Sequence, residues 1–197
     1  YTFYLLGSPF FWLTLPFPNS FLPYLMGPLL ILKFACAALT AYMFIRRFVR
    51  NSESAVLGGI LYAFSGFSVY NIFFNHFHEP IIFFPLLLLA FEKLVAENKR
   101  GIFAIAVCLC AIINYFFFFG MLVFGIIYML FRFMSKSVRF SVKKLSVIIL
   151  EVLIGIALAA FILVPTYLAI SSLDRLNNIT LGWNSLLYGK ESIYANI

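Results

Sequence analysis

His76, His78 and Glu79 close the stretch 62–80 (YAFSGFSVYNIFFNHFHEP), and they form the one cluster of titratable side chains that is not simply a basic loop. Two imidazoles and a carboxylate could bind a divalent metal, hold a phosphate, or pass a proton near neutral pH. An extended backbone at 76–78 would put both imidazoles on one side, because strand side chains alternate. The set is short of the four ligands of a structural zinc and reaches three only if Glu79 joins in. The plainer reading is two histidines with their edges in water and a glutamate at the start of a helix opening at Pro80.

Charges inside apolar runs come next, because an ionised group in hydrocarbon is expensive and commonly has a role. Lys33 lies within the apolar run 24–48, and Glu151 lies within 145–164. Lys33 could reach a phosphate as a flexible point charge, or snorkel toward water. Glu151 is expected to be held by Lys143 or Lys144, and Glu92 by a nearby Lys or Arg. Upstream of the histidines, Tyr62, Ser65, Ser68, Tyr70, Asn71 and Asn75 place hydroxyls and amides along one run. Ser68, Asn71 and Asn75 share a helical face. That face could line a polar cavity for a sugar or head group, or supply hydrogen bonds between helices. The run 116–119 (FFFF) suits an interface belt or the floor of a sugar site.

Other chemistry is unsupported. Cys36, Cys108 and Cys110 lie in apolar runs and read as small buried hydrophobes, with Cys108 and Cys110 pointing apart on a helix. The sequence has no glycine-rich phosphate loop, no H-E-x-x-H and no nucleophile elbow. Asn178-Ile179-Thr180 matches a glycosylation sequon, a pattern too short to carry weight.

The elements that must position these residues are membrane helices. The chain is 64% hydrophobic and 11% charged, against roughly 25% charged in ordinary soluble domains. Its net charge is +7, but 11 of the 14 Lys and Arg fall in three short segments: 46–50, 93–100 and 132–144. Short basic loops between apolar runs follow the positive-inside rule, and no nucleic-acid surface is expected. The fold class expected is all-α integral membrane, a polytopic helical bundle of about six transmembrane helices. The spans are placed at about 24–48, 55–74, 80–94, 101–115, 119–134 and 145–164. The block 101–134 would reach ~51 Å as one helix, beyond the ~30 Å hydrocarbon core, so a break is placed at 114–120.

Residues 1–23, with Pro9, Pro16, Pro18 and Pro23, are expected to be an extracytoplasmic or interfacial loop. Residues 171–197 are expected to be an extracytoplasmic loop or the start of an outer domain. Ser52 or Ser54 is expected to cap the second span, whose Gly58, Gly59, Ala63 and Gly66 offer a face for close packing. Both ends of the chain then lie outside. Tyr1 is not an initiator, which suggests an internal piece of a longer protein.

The succession YLLGSPFFWLTLPFP, LKFACAALTAYMFIRR, GGILYAFSGFSVYN, FHEPIIFFPLLLLAFEKL, INYFFFFGMLVFGIIYMLFR and LVPTYLAISS resembles the bacterial YfhO-like membrane protein family, over nearly the whole chain. Members look like C-type glycosyltransferases, many-span enzymes of the plasma membrane that use a polyprenyl-phosphate sugar at the outer face. The resemblance implies transfer of that sugar to a cell-envelope polymer such as a teichoic acid. The partners implied are membrane lipids, the lipid-linked donor and the polymer acceptor. It also implies an acidic base in a first outer loop that would begin upstream of Tyr1, so the catalytic residue is not assigned here. Lys33, His76, His78 and Glu79 match, by position, the region where the donor phosphate would approach. The alternatives are a transporter or lipid flippase, and a non-catalytic membrane subunit.

Overall fold

The computed structural model describes residues 6–135 and 141–171, and every regular element among them is helical. In order these are α1 (Pro9–Trp12), α2 (Leu22–Ile45), α3 (Ser52–Ala63), α4 (Gly66–Tyr70), α5 (His78–Glu97), α6 (Ile102–Ile113), α7 (Tyr115–Met134) and α8 (Val142–Ser171). Single 3-10 turns at Asn19–Phe21 and Asn75–Phe77 precede α2 and α5. The chain divides into two units, Tyr1–Leu163 and Val164–Ile197. In the second, only 164–171 are described, as the last part of α8. Most of the tail expected at 171–197, including the sequon, lies outside the described residues.

Local chemistry explains several boundaries. Asn51, rather than Ser52 or Ser54, caps α3: its side chain accepts from the Glu53 amide at 3.0 Å, the usual way an N-cap satisfies an orphan donor. The second expected span is two helices. The Phe64 amide closes onto Ile60 O and the Ser65 amide onto Tyr62 O, ending α3. The Ser65 hydroxyl then lies 3.1 Å from that of Ser68, a local polar contact that competes with continued helix.

The break in the apolar block falls at Asn114 itself. Its backbone is extended (φ −156°, ψ 98°), and its side-chain oxygen accepts from the amides of Phe116 and Phe117. Residues 116–120, expected within the break, are instead the first turns of α7. Pro165, expected to end the last span, lies inside α8, which runs on to Ser171.

α5 is the centre of the bundle. Its Ile81 and Ile82 join Phe10, Ala37 and Ala63 in one buried cluster. Its Leu87, Phe91, Leu94 and Val95 join Phe103, Val107, Phe118 and Ile148 in another. α2 packs closely on α3: a Cβ added at Gly59 would lie 2.6 Å from Ala38 O, so only glycine permits that approach. Gly66, expected on the same face, meets nothing within 4 Å.

Among the described residues, three helical segments are long and apolar enough to cross a membrane: Asn19–Ile45, Tyr115–Arg132 and Val142–Ala169. The 12-residue α3 and α6 reach only ~18 Å each. α5 has 20 residues but carries buried Glu79 and Glu92. Six spans are therefore more than length and composition establish.

Candidate functional site

Two polar assemblies mark opposite ends of α5. Where α5 begins, Glu79 is buried and its Oε1 accepts from Lys33 Nζ at 2.9 Å. The Ser8 hydroxyl donates to the same oxygen at 2.5 Å. All three side chains are almost fully enclosed, with 1%, 4% and 2% of Ser8, Lys33 and Glu79 exposed. The Lys33 ammonium also lies 5.3 Å from the centre of the Phe10 ring, within cation–π range. A buried charge is tolerated when it is paired and hydrogen-bonded, and both conditions are met here.

Three segments deliver this group. Lys33 comes from the middle of α2 and Glu79 from the first turn of α5. Ser8 comes from the N-cap of α1, where its hydroxyl oxygen also accepts from the Phe11 amide at 3.0 Å, with Pro9 opening the helix behind it. The segment is seated by Gly7: a Cβ there would lie 2.3 Å from Ile112 O at the end of α6. A side chain at position 7 would push Ser8 away from Glu79.

Around this centre stand the other residues singled out in the sequence. His78 is buried; its Nε2 lies 3.2 Å from Asn71 O, and its ring meets the edge of Phe34 at 5.1 Å. His76 is half-buried and packs on Phe74 and Phe77. Burial holds the His76 imidazole below its ordinary value; Glu79 opposes that shift and the Lys33 charge adds to it. Asn71 and Ser68 are buried, but the Asn71 amide donates to its own helix at Phe67 O. The side chain of Asn75 lies outside the described part.

The backbone at 76–78 is not extended: 75–77 form a 3-10 turn and His78 already belongs to α5. The two imidazoles therefore do not line up as a period-two pair. Glu79 is not a simple cap for a helix starting at Pro80, since its carboxylate faces Lys33 and Ser8. Among the described residues, no group of three His, Cys, Asp or Glu is arranged to hold a metal ion.

The second assembly centres on Glu92, which is 1% exposed. Arg132 Nη2 donates to its Oε2 at 2.8 Å and Arg132 Nε lies 2.7 Å from Oε1. Tyr128 donates to Oε1 at 2.7 Å, and Arg47 Nε stands 3.9 Å from Oε2. Glu92 is thus paired as expected, but by partners from α7 and the end of α2. Glu97 accepts from Arg47 and pairs with Lys99, and these two cations hold its carboxyl down at about 2.

Glu151 corrects its expectation. It binds neither Lys143 nor Lys144 but accepts the Gly101 and Ala104 amides at 2.8 and 3.2 Å, satisfying the N-terminus of α6. Lys144 Nζ donates instead to Val95 O.

The pairing of Lys33 with Glu79 and of Arg47 with Glu92 shows α2 and α5 running parallel and in register. Glu79 and Glu92 are 13 residues apart on one helix, about 20 Å. Ser8 and Phe10 are the site residues that sequence reasoning missed. The Ser-Pro step at 8–9 signals an N-cap, but nothing in it points to Glu79, 71 residues away.

A family model described as "Bacterial membrane protein YfhO" matches residues 1–188. A Bacillus subtilis (strain 168) protein named "Uncharacterized protein YfhO" is 29% identical over 112 residues, covering 54% of this chain and 12% of that protein. The chain thus matches about an eighth of that relative's length. No solved structure matches the chain.

Proposed function

The chain belongs to the family of bacterial YfhO membrane proteins, and from that premise we propose that it is part of a multi-span C-type membrane glycosyltransferase. The reaction moves a sugar from a polyprenyl-phosphate donor to a cell-envelope polymer on the outer face of the plasma membrane. An acceptor hydroxyl attacks the anomeric carbon, the bond from that carbon to the phosphate oxygen breaks, and the polyprenyl phosphate departs with its electron pair. The proton goes to a carboxylate outside this chain.

The observation that carries the reading is the buried group of Lys33, Glu79 and Ser8. Developing phosphate charge needs a preorganised cation in a water-poor site. Lys33 is such a cation, held in place by Glu79, whose carboxylate Ser8 orients. In the six-span arrangement, the basic segments and Glu92 mark the inner interface. The Lys33 layer then lies ~20 Å outward, inside the ~30 Å core and within its outer half. His78 and Asn71 flank it, and a lipid-linked donor reaches it laterally. The break between α3 and α4 beside buried Ser68 favours a second reading, a lipid flippase, since transporters use broken helices at polar sites.

The test uses the full-length protein in its own membrane. Lys33→Gln and the triple change His76→Gln/His78→Gln/Glu79→Gln are expressed to the wild-type level, and the sugar content of the envelope polymer is measured. The proposal expects both to lower it at least tenfold. Normal sugar content in both would remove these residues from the site.

A further inference from the structure

At the Glu92 end of the bundle, the α5–α6 link and the first turn of α8 enclose a cavity of about 170 Å³. Asn98, Arg100, Lys143 and Lys144 supply its polar wall, and Leu94 and Ile148 are among its apolar lining. Lys144 is tied to Val95 O. The Arg100 and Lys143 side chains have no hydrogen-bond or ion-pair partner among the described residues, and both are exposed. Glu151, the nearest buried acid on α8, is occupied by the α6 amides. Among the described residues, the cavity therefore offers two uncompensated cations.

Ile148 also lines a second cavity, of about 270 Å³, whose wall is entirely apolar and includes Phe91, Phe103, Gly125, Met129 and Leu153. Ile148 lines both cavities, so the basic pocket lies beside an apolar groove. Along α8 the groove runs from Leu145 to Leu153, about 12 Å. Lined by apolar side chains beside two cations, the groove suits a chain of methylenes.

We propose that this composite site binds one anionic phospholipid from the surrounding bilayer. The headgroup phosphate sits on Arg100 and Lys143, and an acyl chain lies in the groove. Juxtamembrane cations recognise anionic headgroups in this way, and the planar Arg fork adds paired donors to the phosphate. The site is on the opposite end of α5 from Lys33 and stands whether or not sugar transfer is the activity.

The experiment measures retained lipid on full-length protein in neutral detergent, by native mass spectrometry. Phosphatidylglycerol is compared with phosphatidylcholine of the same chain length. Wild type is expected to retain phosphatidylglycerol at least fivefold over phosphatidylcholine. Arg100→Gln/Lys143→Gln is expected to lower phosphatidylglycerol retention more than tenfold, at about fivefold per lost cation. Gly125→Leu fills the groove from a position where an added Cβ meets nothing within 4 Å; it is expected to reduce both lipids at least fivefold. Millimolar inorganic phosphate is expected to leave phosphatidylglycerol bound.

Retention unchanged within twofold in both variants overturns the proposal. Displacement by phosphate with no effect of Gly125→Leu makes this a free-phosphate site and overturns it too. Cross-linking of Gly125→Cys to another segment of the full-length chain would show the groove filled by protein. If the double variant fails to express, the exposed Lys143→Gln alone carries the headgroup arm, with a fivefold loss expected and an unchanged value counting against the site.

Discussion

Removing one member of the buried pair of Lys33 and Glu79 should be far more damaging than removing both. At 2.9 Å, two unit charges attract by about 6 kcal/mol at an effective dielectric constant near 20. Desolvation of both ions offsets much of that, so the intact pair is a small net contributor. Breaking it leaves a buried charge without its counter-ion, which costs about 3–5 kcal/mol. Glu79→Gln would leave Lys33 beside Phe10; Lys33→Met would leave Glu79 with Ser8, whose single hydrogen bond to a charged group is worth about 1.5–3 kcal/mol. Lys33→Met/Glu79→Met removes both charges at similar volume and should recover most of the loss. The assay is a double-mutant cycle on the full-length protein in detergent micelles, read by denaturant titration. We expect a coupling of at least about 2 kcal/mol. Single variants that each lose under ~0.5 kcal/mol and add without coupling would refute the reasoning, because they would mean the two groups do not share a dry site.

Three further expectations come from other parts of the molecule. Gly7→Ala should lower stability by about 1–3 kcal/mol, the range for overpacking, and Gly7→Ser no less; thermal melting checks this, and unchanged melting would mean Ile112 yields freely. Glu151→Gln should destabilise by about 1–2 kcal/mol through the exposed N-terminus of α6, while Lys143→Ala should be neutral within about 0.5 kcal/mol; equal effects would restore the lysine pairing. His76 is held below the ordinary imidazole value when folded, so the unfolded chain binds a proton there more readily. The stability it permits is present above about pH 6.5 and is lost as pH falls below it. His76→Gln should flatten the stability profile between pH 7 and pH 5, and an unchanged slope would contradict the shift.

The sequence made the membrane class and its all-helical character legible, though not the number of spans, because class rests on composition and run length. Apolar stretches and basic loops announce helices in lipid whatever their neighbours are. Boundaries depending on one side chain were harder to read. Asn114 and Asn51 act as caps through oxygens whose aim is set by local backbone, and the split at Phe64 and Ser65 carries no Pro or charge to flag it. Lys33 and Glu79 were each recognisable as candidates, since charges near hydrocarbon stand out. Their pairing was not, because it depends on α2 and α5 running parallel in register. Glu151 went to backbone amides rather than lysines for a related reason: sequence proximity favours Lys143 and Lys144, but the α6 N-terminus arrives only with the fold. Ser8 was hidden because a serine before proline signals only a helix start.

The central claim is that Lys33 serves a phosphate-linked sugar donor, and the most direct measurement is donor consumption by purified full-length protein in proteoliposomes. Polyprenyl-phosphate sugar labelled in the sugar is supplied with envelope polymer, and transfer to the polymer is counted for wild type and Lys33→Gln. The account predicts label on the polymer with wild type and at least a hundredfold less with the variant. Label that crosses the bilayer still attached to its lipid, with none on the polymer, would contradict it and make the protein a flippase.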